Sequence, residues 1–433
     1  MKRVIVSLCL SAGCLLAQGP VKGASLTSPP DATKISAAPA ADAARAVIPV
    51  GDAVYGWRGD GSGCFPGATP CTVWGGPAKS NVLWAAETEK SYAGPIVAGG
   101  NVLVTAEPDI LVCVSRTDGK ILWRKRNEDF LTPEQKAAIQ DVPTTQAGLA
   151  VATPVTDGKK VYASFGSGVI VCYDLDGNLK WLRLLHAEDH PAEAGHCASP
   201  LLVGGRLIVT YGGLVALNPA TGDTVWTNLT TTEAYGTPAV TKIGDAQVLV
   251  TAAGDCVNVK DGKTLATRLY REAPAYPSPV ISGGVAYFCA RTITAVKLPA
   301  KLGDAFEKKP LWTAELEADV FGSPICVDGL LCVVDDAKNF YVLDARTGKE
   351  VYKQTLELAE DSPLYGSMVL AGGHIILGNV KGDLMVLEPG RKFKRLQTNS
   401  LDGGEGCCPA FAGDQMFLRA DGTLYCIAQQ KKK

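Results

Sequence analysis

Short apolar runs alternate with glycine- and aspartate-rich turns along most of the chain, and one pattern of this kind recurs. A small residue and a proline are followed by two or three apolar residues and then a turn. The pattern stands at Gly94-Pro95, Thr153-Pro154, Ser199-Pro200, Thr237-Pro238, Ser278-Pro279 and Ser323-Pro324. Ser367-Met368 and Cys408-Pro409 are weaker seventh and eighth copies, and the mean spacing is about 45 residues. Each copy continues through a turn such as Gly99-Gly100-Asn101 into a second apolar run (Val102–Thr105, Leu207–Thr210). A third run leads into an Asp-Gly or Thr-Gly turn: Asp118-Gly119, Asp176-Gly177, Thr221-Gly222, Asp261-Gly262 and Thr347-Gly348. A fourth run then opens with an aromatic residue: Trp123, Trp181, Trp226, Trp312 or Tyr352. Asp-Gly between β-rich runs is a hairpin signal, because glycine takes positive φ without steric cost. Four antiparallel strands in this length make one propeller blade.

The ends of the repeat predict how the ring closes. The last copy, from Pro409, has three strands and stops near Cys426-Ile427, while Asn81–Glu87 is an unaccompanied fourth strand before the first copy. Pairing the two removes both sheet edges. The fold class expected is therefore all-β: an eight-bladed β-propeller spanning residues 51–428 and closed by its N-terminal strand. Trp84, Trp123, Trp181, Trp226 and Trp312 share one position in the repeat, which reads as packing between neighbouring blades, each indole N–H needing one acceptor.

Composition narrows the setting. The 433 residues are 46% hydrophobic and 20% charged, which excludes wholesale disorder. The net charge of −2 offers no basic excess for a phosphate backbone, so nucleic acid is not the expected partner. Lys2 and Arg3 precede an apolar stretch, Val4–Ala17, too short for a comfortable membrane span. Residues 1–24 read as an export signal, and Ser11-Ala12-Gly13-Cys14 resembles a lipoprotein box in which Cys14 would carry the lipid. Residues 25–50 are rich in Ala, Pro, Ser and Thr and read as a flexible linker, and residues 429–433 as a basic tail. The location predicted is extracytoplasmic, in the periplasm or cell envelope, and the protein is expected to be a monomer. In an oxidising compartment Cys64 and Cys71, seven apart in a Gly/Pro loop, are a disulfide candidate. Cys113, Cys172, Cys289, Cys332 and Cys426 lie in apolar strand patterns and read as small buried hydrophobes.

Thr221-Gly222-Asp223-Thr224-Val225-Trp226 and Asp118-Gly119-Lys120-Ile121-Leu122-Trp123 resemble the tryptophan-docking repeats of pyrroloquinoline quinone (PQQ) enzymes, a likeness covering roughly residues 54–428. The opening Trp57-Arg58-Gly59-Asp60-Gly61-Ser62-Gly63 is similar to the start of exported PQQ-binding-like propellers. The resemblance specifies the fold and not the cofactor, since BamB-type outer-membrane assembly lipoproteins share the repeat without a quinone. For the enzymes of this family the resemblance implies PQQ at the propeller axis with Ca²⁺ as Lewis acid, a carboxylate as base and often two adjacent cysteines. This chain has Cys407-Cys408, but in the eighth blade and before Pro409-Ala410-Phe411 rather than early in the chain. It has no Cys-x-x-Cys-His for a c-type haem, and Asp174-x-Asp176-Gly177 reads as a blade turn because Leu185 stands where a Ca²⁺ loop places Glu. Arg58-Gly59-Asp60 reads as a turn rather than an adhesion motif.

Three residues before each proline, or its equivalent, the chain reaches the mouth of the central channel. Those positions are Tyr92, Val151, Cys197, Tyr235, Tyr276, Phe321, Tyr365 and Gly406, five of them aromatic in a chain that is 7% aromatic. Such a rim either fills the funnel between blades or stacks on a flat ligand. Two long connections lie on the same mouth. In residues 127–150, Thr132-Pro133-Glu134-Gln135 reads as a helix start with a capping box, the helix running to about Gln140. In residues 186–198, His186, His190 and His196 read either as part of a polar loop or as a zinc set, with His196 the better ligand contact. The reading that results is an exported, non-catalytic propeller recognising a ligand or protein partner through Tyr92, His196, Tyr235, Tyr276, Phe321 and Tyr365. A PQQ- and calcium-dependent alcohol or sugar dehydrogenase and a BamB-like outer-membrane assembly scaffold stay open beside it.

Overall fold

A computed structural model describes residues 35–36 and 56–430, apart from residues 77, 141, 143–146, 188–194, 232–234, 271–275, 359–361, 402 and 404–407. Eight sheets of antiparallel strands stand in a ring, and the expected blade boundaries hold. The first blade is Ile96–Ala98, Asn101–Ala106, Ile110–Ser115 and Ile121–Arg126; the seventh is Val369–Ala371, His374–Gly378, Asp383–Leu387 and Arg395–Ser400. The eighth has three strands of its own, Ala410–Ala412, Gln415–Ala420 and Thr423–Ile427, and is completed by Val82–Glu87. In that pair Trp84 lies opposite Cys426 and Glu87 opposite Thr423. The ring therefore closes as its sequence requires, with no exposed sheet edge between first and last blade.

Blades are joined by indoles. The N–H of Trp84 donates to the Arg116 carbonyl, that of Trp123 to Leu175, Trp181 to Pro219, Trp226 to Val259 and Trp312 to Ala345, all at 2.9–3.1 Å and all on the next blade. Each ring lies on the glycine of that blade's last turn. A Cβ built on Gly262 would come within 2.6 Å of Trp226, and one on Gly348 within 2.4 Å of Trp312. Glycine is required there twice over, by this close approach and by φ of 72° and 70°.

A second set of bonds circles the axis. The backbone N–H of Gly94 donates to the Thr153 hydroxyl, Thr153 to Ser199, Ser199 to Thr237, Ser278 to Ser323 and Ser323 to Ser367, at 2.8–3.0 Å. Thr153, Ser199, Thr237, Ser323 and Ser367 thus each accept from the preceding blade, which satisfies backbone donors that no strand pairs. The five cysteines expected to be buried are buried, and burial pushes their thiols up: to about 12 for Cys113, Cys332 and Cys426, and higher for Cys172 and Cys289.

Two additions to the blades were not legible in the repeat. Ile35–Ser36 pairs antiparallel with the outermost strand of the second blade, so the stretch read as linker contains a strand. Cys64–Phe65 pairs in parallel with the innermost strand of the seventh blade.

Candidate functional site

The antiparallel order places the connections into each innermost strand, and the turns between second and third strands, on one face of the ring. That face carries the aromatic rim. Tyr235 stacks on Tyr276 with centroids 5.0 Å apart and planes 11° from parallel. Tyr276 meets Phe321 at 4.9 Å, and Phe321 meets Tyr365 edge-on at 5.3 Å. Four aromatic side chains from four successive blades form one continuous arc, ending at Tyr365, which is 49% exposed. Edge and face are both presented along it, the geometry in which aromatic groups attract one another and accept a further ring or a cation.

The other expected contacts lie apart from this arc. Tyr92 is 41% exposed on the first blade's connection. His196 is buried and stacks on Tyr211 at 4.0 Å, so its imidazole packs between elements of the second and third blades. His186 is exposed, and His190 and Gly406 lie outside the described residues, as does Cys407. Among the described residues no three His, Cys, Asp or Glu side chains are grouped to hold a metal ion, and the set His186, His190 and His196 includes a residue outside them. Cys64 and Cys71 are both free thiols, so the disulfide considered from their spacing is not made here.

The 127–150 connection is anchored beside the mouth. Its helix runs Pro133–Gln140 and opens with the expected capping box: Thr132 N–H donates to Gln135 Oε1 at 2.9 Å and Gln135 N–H to Thr132 Oγ1 at 3.3 Å. At its far end Glu107 accepts the N–H groups of Leu149 and Ala150 at 2.8–3.0 Å. Burial pushes the Glu107 carboxyl up, and those two N–H groups hold it down in part.

The axis itself is occupied by the chain. Arg58 Nη2 donates to the carbonyls of Pro324 and Met368 at 2.7 and 2.8 Å, each one residue ahead of the innermost strand of the sixth and seventh blades. Gly56 lies against Val155 of the second blade, across the ring from those carbonyls. The Phe65 ring meets Phe411 of the eighth at 4.8 Å. A segment touching opposite blades at their innermost strands lies in the channel. The turn is real: Gly59 N–H donates to Gly56 O, and Gly61 and Gly63 N–H to Arg58 O. Burial pulls the Arg58 guanidinium down to about 10, with the thiols of Cys408 and Cys64 nearby, and its Nε has no acceptor. Sequence reasoning found the turn and missed its place. The available signal was a lone arginine among four glycines directly before an apolar pair.

This arrangement bears on the quinone reading. PQQ with Ca²⁺ needs room on the axis and oxygen donors for the metal. Residues 56–65 run through that room, and the polar side chain that they bury there is the Arg58 guanidinium, a cation that disfavours a second one. Their one carboxylate, Asp60, is exposed and accepts from the Ser62 N–H and hydroxyl. The residues present do not fit the cofactor, and no catalytic step is derived through it.

Comparison with known proteins agrees with the fold. The profile of a family described as outer membrane protein assembly factor BamB matches residues 76–276 and 257–405. No curated protein matches the sequence. Among solved structures, BamB from Moraxella catarrhalis superposes with a TM-score of 0.60 at 14% identity, covering 81% of this chain and 98% of that one. Quinohemoprotein alcohol dehydrogenase from Comamonas testosteroni gives 0.57 at 12% identity, covering 81% and 77%. A quinohemoprotein alcohol dehydrogenase from Pseudomonas putida gives 0.58 at 12%, covering 81% and 76%. At these identities the likeness is one of fold.

Proposed function

The chain belongs to the family of the outer membrane protein assembly factor BamB, and from that premise we propose that it is a non-catalytic recognition propeller of the cell envelope, binding a partner at its aromatic mouth. The observation that carries this reading is the arc Tyr235–Tyr276–Phe321–Tyr365. Structural filling of a funnel buries its aromatics, whereas this arc ends in a tyrosine half exposed at the mouth. Export by residues 1–24, a lipid on Cys14 and a linker to about residue 50 are parts of the same proposal. They would tether the propeller at the envelope and leave recognition to the rim. The family name favours, as the finer version, a partner within an assembly machinery for envelope proteins.

A photo-crosslinking residue placed at Tyr365, and separately at Asp328 on the opposite face, tests the reading in the native envelope. The account expects a discrete adduct from position 365, lost when Tyr235→Ala and Tyr276→Ala are added, and none from position 328. Equal adducts from both positions, or adducts from 328 alone, would overturn it.

A further inference from the structure

Charge is divided unequally between the two faces of the ring. Among the described residues, the connections and turns of the aromatic face hold 13 Asp and Glu against 6 Lys and Arg. The turns of the opposite face hold 11 against 13. A chain with a net charge of only −2 therefore carries a clear negative excess around one mouth and none around the other. Clefts lined by one sign focus the field and raise the local concentration of the opposite charge.

The acids adjoin the arc. Asp319 stands two residues before Phe321, and the backbone N–H of Asp336 donates to the Asp319 carbonyl at 2.8 Å, which sets these two acidic residues side by side. Burial and the charges of Asp335 and Asp319 push the Asp336 carboxyl up, with Lys338 opposing. Some of the acids are spent internally. Asp335 accepts Asn339 N–H and the Tyr341 hydroxyl, and Glu317 pairs with Lys353 at 2.5 Å.

Resting on the rim reading above, we infer that the partner's docking segment is a basic polypeptide, with lysine or arginine side chains that lie over the arc and ammonium or guanidinium groups that meet the acidic surround. Cations stack on tyrosine and phenylalanine faces, and desolvation at the rim strengthens that attraction. Complementary charge steers encounter and sets orientation, because the opposite face offers no such field.

The test is fluorescence anisotropy with three labelled octapeptides alternating phenylalanine with lysine, serine or glutamate, added to the mature protein. The lysine peptide binds most tightly and the glutamate peptide least. Its affinity falls about tenfold between low and high salt, as screening shortens the field. Tyr276→Ala/Phe321→Ala abolishes binding. Asp319→Asn/Asp336→Asn, which leaves the arc intact, weakens the lysine peptide and leaves the serine peptide unchanged. Lys260→Ala/Lys263→Ala on the opposite face changes nothing. Equal binding of the serine and lysine peptides through the arc would overturn the charge inference and leave the rim reading standing. Lysine-peptide binding indifferent to both rim variants would overturn the two together.

Discussion

Trp226→Ala is expected to cost about 3–5 kcal/mol of stability, the range for emptying a buried tryptophan site. Trp226 is 9% exposed, and its ring lies on Gly262 of the next blade. Its N–H donates to Val259 O at 3.0 Å. Removal therefore opens a cavity, uncovers the glycine turn and takes the donor from a carbonyl at the blade interface. Trp226→Phe keeps most of the area and loses the donor, so it is expected to cost about 1–2 kcal/mol. Urea unfolding followed by circular dichroism checks both. Equal small losses would mean that the indoles do not join the blades.

Phe65→Ala is expected to fall in the same range, about 3–5 kcal/mol, for a different reason. Phe65 is not part of any repeat. Its ring packs tilted against Phe411, and it belongs to the same buried cluster as Val369, Cys408 and Phe417. Its loss frees the channel segment, so the effect should appear in two readouts. The melting temperature falls, and Cys408, whose thiol is buried and pushed up by that burial, becomes reactive to a maleimide. A fallen melting temperature with Cys408 still protected would show that the segment is held by Arg58 and the Cys64–Phe65 pairing alone.

These two residues mark what the sequence discloses and what it hides. Trp226 was legible because its role repeats. Five indoles at one register, each followed on the next blade by a turn glycine, state an interface without any coordinates. Closure by Val82–Glu87 was legible for the same reason, as a fourth strand missing at one end and spare at the other. The Thr132–Gln135 capping box was readable because both partners lie within one turn of helix.

Phe65 and Arg58 were not legible. Arg58 reaches acceptors 266 and 310 residues away in the chain, and nothing periodic announces them. The rim falls between these cases. Register alone identified Tyr235, Tyr276, Phe321 and Tyr365, because strand order fixes which residues reach the mouth. The 186–198 connection gave His196, whose side chain the structure turns into a buried stack with Tyr211. Position on a strand is encoded locally, whereas side-chain direction in a connection depends on what the neighbouring blade offers.

The channel segment and the acidic, aromatic mouth together make one claim, that this propeller recognises at its rim and does not work through a quinone at its axis. Titration of the mature protein with PQQ and Ca²⁺, followed by tryptophan fluorescence and by dye-linked oxidation of alcohols and sugars, tests that claim most directly. The account predicts no saturable change up to tens of micromolar and no turnover. Saturable, calcium-dependent quenching accompanied by turnover would contradict it, because residues 56–65 would then have to leave the channel to admit a cofactor.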